Sequence, residues 1–232
     1  MQLLKILKEK EILSKYSEFK NEYNSIIVFN TEAILYFYKN RFYRDYFMES
    51  SALLIDGVFL QIFCRLRGII LPRYHGPDFM HDVLTKNYCK KIIIGGSKSN
   101  NYFLKTNQIS EFYSVPFSDD CDYLVNAFVS KYNFNKVDHR VIIFISLGLL
   151  KQELFALNLL NHIKTHYPSK LSLFTIIPVG AAADFLSGNK RRTNKFFQKI
   201  GIEWLVRLFY EPRMLPRNIN SIKALIYLFF KD

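Results

Sequence analysis

Two groups of residues in this chain are equipped for chemistry: a lone acid at the end of an apolar run, and a set of arginines far from it in sequence. The acid is Asp56, which closes Leu53-Leu54-Ile55-Asp56-Gly57. An acid held partly out of water there has a raised pKa and is suited to take a proton from a hydroxyl. The same Asp-Gly pair also fits a helix N-cap. The arginines are Arg191, Arg192, Arg207, Arg213 and Arg217, all within 179–217. Guanidinium groups stay charged and grip diphosphates through paired hydrogen bonds. Any one of them also fits a solvated helix face. Their segment opens on Gly180-Ala181-Ala182-Ala183-Asp184 and carries the chain's single tryptophan, Trp204. A base together with donors for a developing negative charge is the equipment for moving a group off a phosphorylated donor.

Smaller signals mark other positions. Gly95-Gly96-Ser97 follows an apolar run and precedes a helical pattern, where backbone amides can receive phosphate. It lacks the lysine of a P-loop and the full dinucleotide fingerprint. Gly148-Leu149-Leu150-Lys151-Gln152-Glu153 places polar heads after another apolar run, and Gln152 can both donate to and accept from sugar hydroxyls. It also fits an ordinary strand-to-helix connection. His75-Gly76-Pro77-Asp78 reads as a tight turn into a helix, with Pro77 in its first turn. Gly76 allows close backbone approach to a ligand. His75 and His81 match no metal-ligand spacing. Asp120-Cys121-Asp122 has the form of a metal-holding acid pair, but helix capping and the helix dipole account for it.

These residues need a frame. Strands are expected at 25–29, 91–94, 141–147 and 171–179, and helices at 31–39, 100–107, 151–165 and 193–210. The stretch 50–86 reads as mostly helical, broken at Gly68 and around 72–77. Strands apolar on both faces and alternating with helices imply an α/β fold. It would be a Rossmann-like, mostly parallel sheet flanked by helices, with a helical C-terminal appendage. Ligands of such sheets bind at the carboxyl ends of the strands, here Asn30, Gly95-Gly96, Gly148 and Gly180. We divide the chain into a core, 1–195, and an appendage, 196–232. In the tail, Ile219, Ile222, Ile226 and Phe229 share one helical face, joined by Leu225 and accompanied by Lys223 and Lys231. This stripe suits an interfacial membrane helix or a helix docked on its own core or another subunit.

Composition limits the classes. The chain has 232 residues and a formal net charge of +12, which implies anionic partners: nucleic acid, anionic lipid or a phosphorylated substrate. The charge is spread along the chain with no basic tail, which argues against a nucleic-acid arm. Cys64, Cys89 and Cys121 are too scattered for a disulfide framework or a zinc site. No run reaches the roughly 20 apolar residues of a spanning helix, and the N-terminus lacks a signal-peptide core. A cytosolic chain touching membrane only at its surface is expected.

Taken in order, the motifs resemble the WecG/TagA/CpsF glycosyltransferases of bacterial surface-polysaccharide biosynthesis. The resemblance runs from about Ile26 to Arg217. Its landmarks are Asn30-x-Glu32, Asp56-Gly57, Gly76-Pro77-Asp78, Gly95-Gly96, Gly148-x-x-Lys151-Gln152-Glu153, Val179-Gly180-Ala181, Asp184-Phe185, Gly188 and Arg191. They end with Gly201-x-Glu203-Trp204-x-x-Arg207-Leu208 and Glu211-Pro212-Arg213. The resemblance implies an inverting, metal-independent transferase with no cofactor, peripheral on the inner face of the cell membrane. It implies a UDP-sugar donor of hexose or N-acetylhexosamine type and a polyprenyl-diphosphate-linked sugar acceptor. The family's base falls on Asp56, its strand-end asparagine on Asn30, its glutamine on Gln152, and its appendage arginines on Arg207, Arg213 and Arg217. The substrate surround then comprises Gly57, Gly76, Asp78, Gly95, Gly96, Gly148, Gly180, Asp184 and Arg191. Homo-oligomerisation is left open. The family's usual proline before Lys-Gln-Glu is Leu150 here. The rival from another class is a non-catalytic basic module that binds anionic lipid or nucleic acid.

Overall fold

Among the described residues, all the strands but one at the edge are short, largely apolar runs whose alternate residues enter different cores, which is what a parallel sheet covered on both faces requires. The computed structural model describes residues 2–86, 89–95, 102–103, 106, 108–116, 118–194, 196–197 and 202–231. In chain order the main elements are α1 (Gln2–Glu9), β1 (Ile26–Phe29), α2 (Ala33–Lys39), α3 (Arg41–Glu49), β2 (Ala52–Ile55), α4 (Val58–Leu66) and α5 (Gly76–Lys86). They continue with β3 (Lys90–Gly95), β4 (Glu111–Ser114), α6 (Cys121–Val129), β5 (Val141–Ser146), α7 (Lys151–His166) and β6 (Phe174–Pro178). The chain ends with α8 (Ala182–Leu186), α9 (Glu203–Tyr210) and α10 (Leu215–Lys231).

Among the described residues, all strand pairs are parallel. β4, β3, β5 and β6 form one sheet in that order, and β1 pairs with β2 in another. A parallel bridge between Ser25 and Ile176 joins them, so the strands run 4-3-5-6-1-2. At this seam the Ile176 N–H donates to Asn24 O at 2.9 Å and Thr175 Oγ1 donates to Tyr23 O at 2.6 Å. On one face Ile27, Phe29, Leu53, Ile55, Ile143 and Ile145 pack beneath α2, α3, α7 and α10. On the other, Ile26, Val28, Leu54, Ile142 and Phe144 pack with residues of α5 and α8.

The α/β expectation holds, with corrections to its elements. The stretch 50–86 is mostly helical as expected, in α4 and α5 with the break between them, but residues 52–55 form β2 in the heart of the sheet. A four-residue apolar run buried on both faces has no period by which to tell strand from helix. β4 was also not foreseen; it is a short edge strand only partly buried. Residues 171–173, expected to begin a strand, instead close a 3-10 turn over Pro168–Leu173. Residues 193–194 lie outside any helix, whereas 196–197 are helical and a further helix begins at Glu203. The helix expected at 100–107 lies largely outside the described residues.

The apolar stripe of the C-terminal helix is not the face that docks on the core. α10 docks through a different face: Ala224 and Leu228 are fully buried, and Tyr227 packs at a tilt against Tyr38 of α2 with ring centroids 5.2 Å apart. Ile219, Ile222, Ile226 and Phe229 are exposed, as are Ile62, Leu66 and Ile70 on and just after the adjoining α4. Arg67 lies over the Phe229 ring, 5.5 Å from its centroid. Among the described residues, no helix is long and apolar enough to cross a membrane.

One turn carries backbone strain. Leu150, immediately before α7, has φ 71° and ψ −49°, a region that branched or bulky residues rarely enter. Proline is locked near φ −65° and cannot adopt it. Leu150→Pro is therefore expected to lower stability by more than about 1 kcal/mol, read as a fall in the denaturant midpoint. An unchanged midpoint would show that the turn relaxes freely.

Candidate active site

The carboxyl ends of β1, β2, β5 and β6 meet at one edge of the sheet, and a cavity of about 680 Å³ opens there. Asn30 and Thr31 line it from the end of β1, Asp56 and Gly57 from β2, Ser146 to Gly148 from β5, and Val179 to Ala182 from β6. The C-terminal elements close another side with Glu203, Trp204, Met214, Arg217, Asn218 and Ser221. Trp204 packs against Phe59 of α4 with tilted rings 5.2 Å apart, which ties α9 to the core as well as walling the cavity.

Asp56 does not cap α4. Gly57 occupies the cap position and makes no side-chain cap bond, while the Asp56 carboxylate turns to the segment before α5. Its Oδ1 lies 2.8 Å from His75 Nδ1, and Oδ2 receives the Gly76 N–H at 3.4 Å. The side chain keeps 29% of its surface exposed. The expectation of a raised pKa is corrected. Burial pushes this carboxyl up, but the hydrogen bonds from His75 and the Gly76 N–H, with the charge of Arg217, together hold it below the usual carboxylate value. Asp56 is thus a carboxylate at neutral pH, ready to accept a proton. Gly57 is needed for close approach: a Cβ there would stand 2.8 Å from Thr31 Oγ1 and 3.0 Å from Thr31 N, wedging β1 and β2 apart at the cavity.

Gln152 was expected to meet sugar hydroxyls, but the protein itself holds both ends of its amide. Its Oε1 accepts the Gly180 N–H at 2.6 Å and its Nε2 donates to Glu153 Oε1 at 2.7 Å. Ser146 Oγ donates to Gly180 O at 2.6 Å. Gln152 therefore pins the β5 and β6 loops together under the cavity, still lining it. Glu153 is fully buried on the other core face, and burial pushes its carboxyl up to about 7 against the partial relief of the Gln152 bond.

The remaining expected residues fall into three groups. Asn30, Gly148, Gly180, Asp184 and Arg217 line the cavity, as do Lys190 and Arg192. Asn30 Oδ1 also caps the start of α2 by accepting the Ala33 N–H at 3.0 Å. Asp184 pairs with Lys190 at 3.4 Å, and Arg217 pairs with Glu32 at 3.0 Å. A second group is set back from the cavity. Asp78 is held by Arg192 in a two-pronged pair at 2.7 Å each, and Gly76 serves Asp56 rather than the cavity wall. Gly95 is explained by sheet packing, since a Cβ would stand 2.9 Å from Ser146 O. Arg191 is exposed, and its neighbour Arg192 takes the place at the wall. The third group, Gly96 with the side chains of Arg207 and Arg213, lies outside the described residues.

Sequence reasoning missed Arg73, His75, Glu32 and Ser146. His75 and Glu32 were visible within quoted motifs, but their partners stand 19 and 185 residues away. The acid pair behaves as the capping reading holds: Asp120 Oδ1 accepts the Tyr123 N–H at 3.0 Å and Asp122 accepts from Asn158 at 2.6 Å.

A Rossmann-like parallel sheet with a carboxylate and several cations around one strand-edge cavity defines a group-transfer site for an anionic donor. The chain belongs to the glycosyl transferase WecG/TagA/CpsF family, whose model matches residues 3–232. It is accordingly a glycosyltransferase of cell-surface polysaccharide biosynthesis.

The buried Glu153 gives a pH test. The unfolded chain loses this proton above about pH 4.5, whereas the folded protein keeps it until about 7. Burial of Glu153 therefore adds nothing against stability below pH 4.5 and opposes folding increasingly as the pH rises through 7. The expected outcome is a stability that declines over this window by more in the wild type than in Glu153→Gln, measured by urea unfolding. Parallel pH profiles would contradict it.

Proposed function

We propose that this chain is an inverting hexosyl- or N-acetylhexosaminyltransferase that uses a UDP-sugar and a polyprenyl-diphosphate-linked sugar acceptor. The observation that carries the reading is an ionised Asp56 on the wall of a cavity that also presents Arg217, Arg192 and Lys190. In this reading the acceptor hydroxyl oxygen bonds to the anomeric carbon on the face opposite UDP. Asp56 takes the hydroxyl proton, and UDP leaves with the electron pair of the broken bond. The transition state has oxocarbenium character. Charge that grows on the departing diphosphate is met by arginines rather than by a metal, with Arg207 and Arg213 joining Arg217 from the appendage. Asp184, Gly148 and Gly180 surround the donor.

The same reading places the protein on the inner face of the cell membrane. The exposed faces of α4 and α10 combine large apolar side chains with Arg65, Arg67, Lys223 and Lys231, the composition suited to an anionic lipid surface. A lipid-linked acceptor presented there would arrive beside the helix that carries Arg217.

Asp56→Asn is expected to slow transfer by about 10²–10⁴-fold while retaining UDP-sugar binding, followed as UDP release with a short-chain lipid acceptor. Full activity in that variant would remove Asp56 as the base. Ile222→Glu combined with Ile226→Glu, which spares the docked face of α10, is expected to abolish flotation with anionic vesicles. Undiminished flotation would remove this face as the membrane contact.

A further inference from the structure

We infer that His75 is a positioning residue for Asp56, held by Arg73 as the neutral ring with its proton on Nδ1. The inference rests on the reading of Asp56 as the base. His75 stands between two partners of opposite kind: its Nδ1 is 2.8 Å from Asp56 Oδ1 and its Nε2 is 2.9 Å from Arg73 Nη2. A guanidinium only donates. Nε2 must therefore accept, and a neutral ring with an accepting Nε2 carries its proton on Nδ1, where it donates to the carboxylate. An imidazolium would set N–H against N–H and cation against cation at Arg73. The side chains of His75 and Asp56 are both largely enclosed, 19% and 29% exposed, so water does not readily replace either bond.

This arrangement divides the work of the two carboxylate oxygens. Oδ1 is committed to His75. Oδ2 has only the long Gly76 contact of 3.4 Å, which is near the limit for a hydrogen bond. Oδ2 is thus the oxygen left to hold the acceptor hydroxyl and receive its proton. When it does, Asp56 becomes a neutral acid with the proton on Oδ2, and Oδ1, now the carbonyl oxygen, still accepts from His75. The bond survives both protonation states, so the carboxyl keeps its orientation across the step, and His75 gives up no proton.

Other charged groups act on Asp56 through space. Arg192, paired with Asp78, and Arg217, paired with Glu32, favour the carboxylate. Glu203 and the Lys190–Asp184 pair line the same cavity. None of these substitutes for a donor at Oδ1, since the hydrogen bonds of Asp56 come from His75 and Gly76.

The test has two arms. In the first, protein labelled with ¹⁵N-histidine is observed by NMR at pH 7, and the His75 signals among the five histidines are assigned by their loss in His75→Asn. The expected result is a protonated Nδ1 and a bare Nε2. A neutral ring protonated on Nε2, or an imidazolium, overturns the inference whatever the enzyme's activity. In the second arm kcat/KM is followed against pH, with donor binding read from Trp204 fluorescence. His75→Ala is expected to keep donor affinity and to move the acid limb up by about one pH unit. His75→Asn, whose amide can donate from near the Nδ1 position, is expected to leave the limb close to wild type. An acid limb unmoved in His75→Ala overturns the positioning role. Full activity of Asp56→Asn would instead defeat the base reading while leaving the tautomer result standing.

Discussion

The site exists because β6 lies beside β1. That seam is thin: the Ser25–Ile176 bridge, the Ile176 N–H to Asn24 O, and the Thr175 hydroxyl to Tyr23 O. Arg140 reinforces it from one side, donating to Tyr23 O and Ser172 O at 3.0 Å each. With the seam closed, the end of β2 that carries Asp56 faces the ends of β5 and β6 that carry Gly148 and Gly180. With it open, the base and the loop glycines would belong to two separate sheets. The fold places the cavity where two halves of the chain join, as parallel sheets commonly do.

Around that seam, polar groups are used to hold loops rather than left waiting for a ligand. Gln152 joins the loops after β5 and β6 through Gly180 and is itself braced by the buried Glu153. Asp78 and Arg192 tie the N-terminus of α5 to the segment after α8. Glu32 binds both Arg217 and Asn220, and so fastens α10 across the edge of the sheet. Arg217 therefore reaches the cavity already engaged to a carboxylate. In the proposed reaction an arriving diphosphate competes with Glu32 for it, which would link ligand binding to the seating of the C-terminal helix.

That helix shows how one amphipathic segment can serve two surfaces. Ala224 and Leu228, with Tyr227 against Tyr38, dock on the core, while the apolar stripe from Ile219 to Phe229 stays outside. Together with the exposed apolar residues of α4, this puts a lipid-compatible face next to the elements that wall the active site. The exposed apolar face and Arg217 are thus carried by one helix.

Much of the frame was legible in the residues themselves. Apolar runs ending in Gly or Asn marked four of the strands, the basic excess pointed to an anionic ligand, and the ordered motifs identified the family. The two-sided burial that made those runs recognisable as parallel strands also hid β2, since four apolar residues have no distinguishing period. The chain's local chemistry thus determined which residue types were on hand: one acid after a strand, several arginines, a strand-end asparagine and a glutamine. Only the tertiary structure decided their roles, because a side chain's partner and protonation depend on what folding brings within 3 Å. It gave Asp56 to His75 and lowered its pKa where sequence position alone implied a rise. It also turned Gln152 inward to Gly180 and set Arg192, not Arg191, at the wall of the cavity.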